Sequence, residues 1–266
     1  MAGPLWIDQT ALRVKLGKFF NQEKVSLAQF GSTVNQTFEA FVFAAVVAWY
    51  KKQGWRVSMI HPKKDDESRD KTLRLKFSTR GRPGRYSYAL CKKHERRVQV
   101  RHQLRVSTYF HKPENEDPAN VCLDVAVIRA KDLTGYSTST AVPNDLLMTF
   151  GEAKHMAAFA ELVASFVGLV HEMQPHRLRL RRKNKQNSQS DHVWPFLYVS
   201  GHLNPTARGI VETIENREYE IGVYHETKAL SNALDLPKMK PPTTKIRGKR
   251  LTATAKSSSE VIDVPF

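Results

Sequence analysis

Two apolar stretches, Val121-Cys-Leu-Asp-Val-Ala-Val-Ile128 and Leu146-Leu-Met-Thr-Phe-Gly-Glu-Ala-Lys154, decide the fold prediction. Their length and their β-branched and aromatic residues predict two β-strands. Asp124 lies inside the first strand, where an ionised carboxylate is costly unless a metal ion or a hydrogen-bond donor compensates it. Glu152 and Lys154 end the second strand and, two positions apart, point to the same face. If the strands are neighbours, Asp124 and Glu152 can share one hard cation.

The flanking sequence predicts alternating helices and strands around this pair. Thr33 and Gln36 form a capping box, after which apolar residues recur at helical spacing as far as Gly54, which ends the helix. Further helices are predicted over 156–173 and 205–216. Further strands are predicted over 55–60, 73–78, 86–91, 98–108, 196–199 and 219–224.

The charge balance indicates a polyanionic partner. The 266 residues include 42 Lys and Arg and 26 Asp and Glu, which gives a net charge of +16. Such an excess attracts polyanions over roughly a Debye length, so nucleic acid is the leading partner class. Three groups of basic residues are candidate phosphate contacts, namely Arg80, Arg82 and Arg85 on a turn, Lys92, Lys93, Arg96 and Arg97 in a strand pair, and Arg177, Arg179, Arg181, Arg182 and Lys183 in a later run.

Several protein classes are excluded or unsupported. The longest apolar run, residues 41–50, is about half of the roughly 20 residues that a membrane span needs, and no secretory signal is visible, so we expect a cytoplasmic protein without a membrane partner. Two cysteines cannot form a disulfide framework or a four-thiolate zinc site. HExxH, Walker and GxSxG motifs are absent, which leaves metalloprotease, P-loop NTPase and serine hydrolase chemistry without support.

Over residues 33–226 the sequence resembles the PD-(D/E)XK nuclease superfamily, which has the restriction-endonuclease-like fold. Residues 38–57 are similar to the first helix and strand of that fold, Asp124 to its aspartate and Glu152-Ala-Lys154 to its acidic-x-lysine element. The resemblance implies an α/β domain with a mixed central sheet flanked by helices. It also implies a Mg²⁺-dependent endodeoxyribonuclease in which Mn²⁺ can replace Mg²⁺.

The resemblance also implies a role for each site residue. Asp124, Glu152 and the backbone carbonyl of Ala153 would bind the metal, and Lys154 would orient the attacking water. Glu39 on the first helix corresponds to an acid that reaches the site in many members of the family, although a helix-dipole-stabilised acid exposed in the first turn fits the sequence equally well. DNA is the implied substrate, with RNA not excluded. A homodimer or a partner ATPase or helicase subunit would allow both strands to be cut.

The predicted organisation has three parts. Residues 1–32 form an N-terminal helical extension and residues 33–234 the nuclease-like domain. Residues 235–266 form a basic tail, which we predict to be disordered because 237–258 contain seven Lys or Arg, three Pro and no acid. Members of the superfamily commonly act in restriction, phage defence or mobile-element systems.

Two other interpretations of the sequence stay open. The chain could be a catalytically inactive nucleic-acid-binding or assembly subunit on the same fold. His202, Asn216 and His225 have spacing similar to the HNH nuclease motif, but that motif places its last histidine on a helix whereas 219–224 predict a strand. A second acid-x-lysine triplet, Glu226-Thr-Lys228, shows that this spacing alone is not specific. Only Glu152-Ala-Lys154 follows an aspartate-bearing strand and precedes a long helix.

Overall fold

The elements of secondary structure follow the predicted α/β order. The computed structural model describes residues 8–23, 26–27, 31, 33–62, 72–112, 118–137, 140–179 and 192–225. Its helices are α1 (Gln9–Gln22), α2 (Val34–Lys52), α3 (Ala160–Met173) and α4 (Pro205–Asn216). Its strands are β1 (Ser26–Leu27), β2 (Arg56–Ile60), β3 (Thr72–Leu73), β4 (Tyr88–Lys93), β5 (Arg96–Ser107), β6 (Asn120–Arg129), β7 (Leu147–Lys154), β8 (Phe196–Val199) and β9 (Gly222–His225).

Seven strands form one mixed sheet in the order β2-β4-β5-β6-β7-β8-β9. Neighbouring strands are antiparallel from β2 to β7, and β7, β8 and β9 are parallel. Parallel neighbours need a crossover connection, which α3 and α4 supply. The prediction of an α/β domain with a mixed sheet flanked by helices is therefore confirmed.

The sheet separates two apolar cores. Along β8 the side chains alternate, so that Phe196 and Tyr198 join the core under α1 and α2 while Leu197 and Val199 join the core under α3 and α4. The helix α2 begins as predicted, since the Thr33 hydroxyl accepts the amide of Gln36. Apolar residues of α1 lie in the same core as α2, although α1 belongs to the predicted extension 1–32.

The strand predicted over 73–78 is wrong apart from its first residue. Only Thr72–Leu73 forms a strand, and it pairs with β1 outside the main sheet. Leu75 and Lys76 are buried, which produced the strand-like pattern. The backbone here bonds elsewhere, because the Arg74 amide donates to the Ser87 hydroxyl and the Ser87 amide to the Arg74 carbonyl.

The third helix begins later than predicted, at Ala160 rather than Met156. Residues 156–159 form a turn whose backbone bonds to the loop after β8. The Gly201 amide donates to the Met156 carbonyl at 3.1 Å and the Ala158 amide to the His202 carbonyl at 2.9 Å. These groups are therefore committed to another loop and cannot begin a helix.

Several predictions concern residues outside the described ranges. These are the disordered tail at 235–266, the domain boundary at 234, the start of the extension at 1–7, and the basic residues Arg181, Arg182 and Lys183. The second triplet, which begins at Glu226, lies there too. Within the described part of the chain, no helix combines the length and the apolarity needed to span a membrane.

Candidate functional site

The pairing of β5 with β6 is interrupted at one position, which places the candidate site. Gln103 and Asp124 stand opposite each other but are not paired, although the residues on either side keep the same register. Gln103 has a φ of 48°, a left-handed conformation that non-glycine residues rarely adopt. On the other side of Asp124, the pairing of β6 with β7 ends at Val125 and Gly151. The Asp124 side chain therefore lies where the sheet opens on both sides.

Three of the predicted side chains meet in this opening. The Lys154 Nζ is 2.8 Å from the Asp124 Oδ2 and 3.0 Å from the Glu152 Oε2. The Ala153 amide donates to the Asp124 Oδ2 at 2.9 Å, so the aspartate takes the place of a strand partner there. Both carboxylate side chains are only 12% exposed. Two acids and one lysine thus share a small, largely buried volume.

Glu39 also reaches the site from the second turn of α2. Its Oε2 accepts a hydrogen bond from the Gln103 Nε2 at 2.7 Å and lies 3.7 Å from the His102 Nε2. The side chain is 14% exposed, so the interpretation of Glu39 as an exposed first-turn acid does not fit. The helix brings Glu39 here because its apolar side chains pack against the sheet directly below the opening.

Three polar residues that were not predicted from the sequence support this arrangement. The buried Lys76 donates from its Nζ to the Gln103 carbonyl at 3.0 Å, which satisfies a backbone oxygen that has no strand partner. His102 bonds through Nδ1 to the Lys76 carbonyl and packs between Phe43 and Phe77. Apolar and polar residues alternate along β5, and His102 occupies an apolar position of that pattern, which is the signal that could have identified it.

The acids of the site outnumber the cations. Burial, and then the charge of Asp124, raises the pKa of Glu39 to about 7. The same two causes raise the pKa of Glu152. Burial lowers the pKa of Lys154, but the charges of Glu152 and Asp124 outweigh it and the net shift is upward. These shifts favour the protonated acids, so a cation bound among the carboxyl groups would lower their pKa values.

The ligand set available here fits a hard cation. Among the described residues, no group of three His, Cys, Asp or Glu side chains could hold a metal ion. Asp124 and Glu152 supply carboxylate oxygens, and the carbonyl of Ala153 lies on the same strand edge as its amide, which faces Asp124. Carboxylate and carbonyl oxygens, completed by water, are the ligands that Mg²⁺ uses, whereas structural zinc prefers sulfur and nitrogen.

The first group of predicted phosphate contacts lies beside the site. Arg80, Arg82 and Arg85 are exposed. The chain just before them runs along β5 next to the opening, since Lys76 bonds to Gln103 and the Arg105 guanidinium donates to the Thr79 carbonyl at 3.5 Å. This turn can therefore contact a polyanion that enters the opening.

The other two groups lie away from the carboxylates. Lys92, Lys93, Arg96 and Arg97 flank the β4–β5 turn, and the six residues from Arg97 to Gln103 span about 20 Å of strand. Arg177 and Arg179 follow α3, whose 14 residues separate them from the Lys154 end by about 21 Å. Arg177 also pairs with Glu220 at 2.6 Å.

The residues of the HNH interpretation are not brought together. His202 precedes α4 and Asn216 ends it, so about 18 Å of helix separates them. His225 is the last residue of a strand, β9, and not part of a helix.

Comparison with known proteins leaves the functional argument to the site itself. No protein-family model, curated protein or solved structure matches the chain. The geometry around Asp124, Glu152 and Lys154 is therefore the basis for the proposal that follows.

Proposed function

We propose that the protein is a metal-dependent endonuclease of the PD-(D/E)XK type that hydrolyses phosphodiester bonds in DNA. The observation that carries this proposal is the contact of Lys154 with both Asp124 and Glu152, at 2.8 and 3.0 Å, where β6 and β7 separate. The order of a helix, an antiparallel strand set, a second helix and a parallel strand supports the proposal, because the restriction-endonuclease-like fold has a similar order of elements.

The proposed metal, Mg²⁺ or Mn²⁺, would be held by Asp124, Glu152 and the Ala153 carbonyl. When bound, it supplies an acidified water and neutralises the charge that develops on the phosphate. The meeting of Asp124 and Glu152 in one opening supports this assignment, because a divalent cation bound between them would stabilise their charged forms.

Lys154 and Glu39 have further roles in the proposed reaction. Lys154, as an ammonium group fixed by two carboxylates, donates hydrogen bonds and so orients the attacking water in line with the scissile bond. Glu39 is held by Gln103 at 2.7 Å and lies close enough to Asp124 for their charges to interact, so it can accept a hydrogen bond from a water in the opening.

The substrate assignment follows from charge and position. Arg80, Arg82 and Arg85 lie beside the opening, where they can contact phosphates on either side of the scissile bond. The net charge of +16 favours a polyanion in general. DNA is the proposed substrate and RNA the alternative. A second copy of the chain, or a partner ATPase or helicase, would bring the second strand of a duplex to a site.

The test is a cleavage assay on plasmid DNA and on RNA with Mg²⁺, Mn²⁺ or EDTA. We expect the wild-type chain to cut DNA with either metal and not with EDTA. Lys154→Ala and Asp124→Asn should abolish cleavage while the variants remain folded. Lys228→Ala, in the second acid-x-lysine triplet, is the matched control and should cut like the wild type.

Two results would overturn the assignment. Binding of DNA without cleavage of any substrate in either metal would favour the inactive binding subunit. Cleavage that persists in Lys154→Ala and Asp124→Asn but is lost in His202→Ala would favour the HNH mechanism.

A further inference from the structure

Three basic side chains form a row across one end of the sheet. Arg56 on β2 is paired with Lys92 on β4, and Lys92 is paired with Arg97 on β5. Directly paired residues share a face of the sheet, and neighbouring strands are about 4.8 Å apart. Arg56, Lys92 and Arg97, called the basic row below, therefore follow one another over about 10 Å. Arg56 and Arg97 are exposed, and Lys92 is half-buried.

The strand register separates the basic row from the other basic residues of this turn. Val57, Cys91 and Val98, one position further along each strand, face the core under α2. Since side chains alternate, the basic row faces the opposite side of the sheet. Lys93 and Arg96 are paired with each other and face the α2 side, where the Lys93 Nζ donates to the Gln53 carbonyl at 3.0 Å.

The basic row concentrates positive charge on one face of the sheet. Like charges directly opposite each other on neighbouring strands repel and destabilise a sheet. Within the described part of the chain, no carboxylate forms an ion pair with any member of the basic row. An arrangement that costs stability and leaves positive charge exposed is typical of a surface that binds an anion.

Glu152 of the candidate site lies on the same face of the sheet as the basic row, whereas Glu39 reaches the site from the α2 face. Gln99, on the face of the basic row, is paired with Ile128 on β6. Two residues earlier on β6, Ala126 is paired with Phe150, which precedes Glu152 by two positions on β7. Alternation along the strands therefore places Glu152 and the basic row on one face, about 20 Å apart in the direction of the strands.

We propose that the basic row binds the sugar-phosphate backbone of DNA as a second contact, outside the cleavage site. The proposal rests on DNA as the proposed substrate but not on cleavage. About six base pairs of duplex span 20 Å, so the distance between the basic row and the site is within the length of a short duplex. Next to the basic row on this face lie the polar residues Ser58 and Gln99, of which Gln99 is buried, and Leu90, which is half-buried.

The test compares two triple variants of equal charge. The row variant is Arg56→Gln with Lys92→Gln and Arg97→Gln. The control variant is Lys15→Gln with Lys18→Gln and Arg208→Gln, on α1 and α4. The affinity for a fluorescent duplex of about 24 base pairs is measured in EDTA between about 50 and 200 mM salt, where counterion release is resolved. Lys92→Gln alone gives a milder third variant.

The row variant should bind about tenfold or more weakly near 0.1 M salt, and its slope of log affinity against log salt should fall by about 2 to 3. Lys92→Gln should lower the slope by about 1. The affinity and the salt slope of the control variant should both change much less. Equal losses in the two triple variants, or an unchanged slope in the row variant and in Lys92→Gln, would overturn the proposal.

A further comparison separates nucleic acid from an acidic protein as the partner. If the row variant loses affinity for polyglutamate but not for DNA, the proposal is wrong and the basic row binds acidic protein. If the wild type never cuts DNA but the row variant loses DNA binding, the proposal that the basic row binds DNA is supported and the nuclease assignment is wrong. If the wild type cuts DNA and the row variant binds and cuts DNA equally well, the proposal for the basic row is wrong and the nuclease assignment is kept.

Discussion

Two regions of the sheet each bring like charges together, and they differ in how deeply those charges are buried. At the end of the sheet where β6 and β7 separate, called the open end, Asp124, Glu152 and Glu39 are largely buried, and Lys154 pairs with the first two. At the other end, the basic row is mostly exposed and has no ion pair among the described residues. Buried charges interact strongly because little water screens them, whereas exposed charges are screened within a Debye length.

This contrast separates the roles of the two regions. Strong, fixed interactions among buried groups suit chemistry, since they hold reacting groups at defined distances without reorganisation. Weak, screened interactions among exposed groups suit the binding of a polyanion, where each contact is modest and salt controls the sum. Variants at the open end should therefore alter rates, and variants of the basic row should alter affinity.

The largest expected effect is a separation of rate from affinity. Asp124→Asn should lower the single-turnover cleavage rate at saturating DNA by about a thousandfold or more, because a metal ligand is lost. Its DNA affinity in EDTA should be unchanged or higher, since one negative charge is removed. The row variant should show the reverse, with a wild-type rate at saturating DNA and weaker binding.

The two variants are measured side by side in quenched-flow cleavage and in fluorescence anisotropy. Glu212→Gln, an exposed acid on α4, removes one negative charge elsewhere and serves as the control for Asp124→Asn. If the row variant lowers the rate at saturating DNA as much as Asp124→Asn does, the two regions do not have separate roles.

A smaller effect is expected from Gln103, which holds Glu39 from the interrupted strand. Asparagine tolerates the left-handed φ of 48° but is one methylene shorter, so Gln103→Asn should keep the backbone and lose the 2.7 Å bond to Glu39. We expect a drop in kcat of about tenfold with a wild-type KM, which is less than the roughly 10²- to 10⁴-fold of a lost proton-transfer group because Glu39 itself is kept.

Thermal unfolding distinguishes this positioning role from a structural one. Gln103→Asn should unfold within a few degrees of the wild type, because a single hydrogen bond contributes only about 1 kcal/mol. A variant that unfolds at the wild-type temperature and keeps full kcat would show that Gln103 does not position Glu39 for the reaction.

The meeting of Asp124, Glu152 and Lys154 could be predicted from sequence because its signals are local. An acid inside an apolar strand is expensive wherever the strand lies, and two residues at a period of two share a face in any sheet. The α2 helix was predictable for the same reason, since the Thr33 cap and the helical spacing of its apolar residues require no knowledge of the rest of the chain.

The remaining features depend on contacts between distant segments. The left-handed φ of Gln103 is stabilised by Lys76, which comes from a segment whose burial pattern was mistaken for a strand. Arg56 joins Lys92 only through the register of β2 with β4, and register is set by packing and turn geometry. Neither contact can be recognised from a single stretch of sequence.

A stability effect should follow from the burial of Glu39. Its pKa is about 7 in the folded chain and 4.5 ordinarily, so the folded state favours the protonated form. That contribution is complete below pH 4.5 and is lost as the pH rises through 7. In EDTA at pH 8, Glu39→Gln should therefore be more stable than the wild type by roughly 1 to 2 kcal/mol, because partial solvent access reduces the full shift.

Urea unfolding at pH 4 and pH 8 measures this difference, which should be near zero at pH 4. Glu212→Gln, on the exposed face of α4, should show no difference at either pH. Added Mg²⁺ should narrow the gap at pH 8, because a cation that binds the folded wild type stabilises it by mass action. A gap that is the same at both pH values would show that the buried charge of Glu39 is not its cause.

The smallest expected effect concerns the stability of the basic row. Because like charges on paired strands repel, the row variant should be more stable than the wild type at low salt, by about 0.2 to 1 kcal/mol for each of its two neighbouring pairs. The gain should shrink at high salt, since the row is exposed and screened. Urea unfolding at about 20 mM and 0.5 M salt measures both quantities. If the row variant is no more stable than the wild type at low salt, the three charges do not repel each other in the folded sheet. In that case the basic row carries no cost in stability that binding would have to explain.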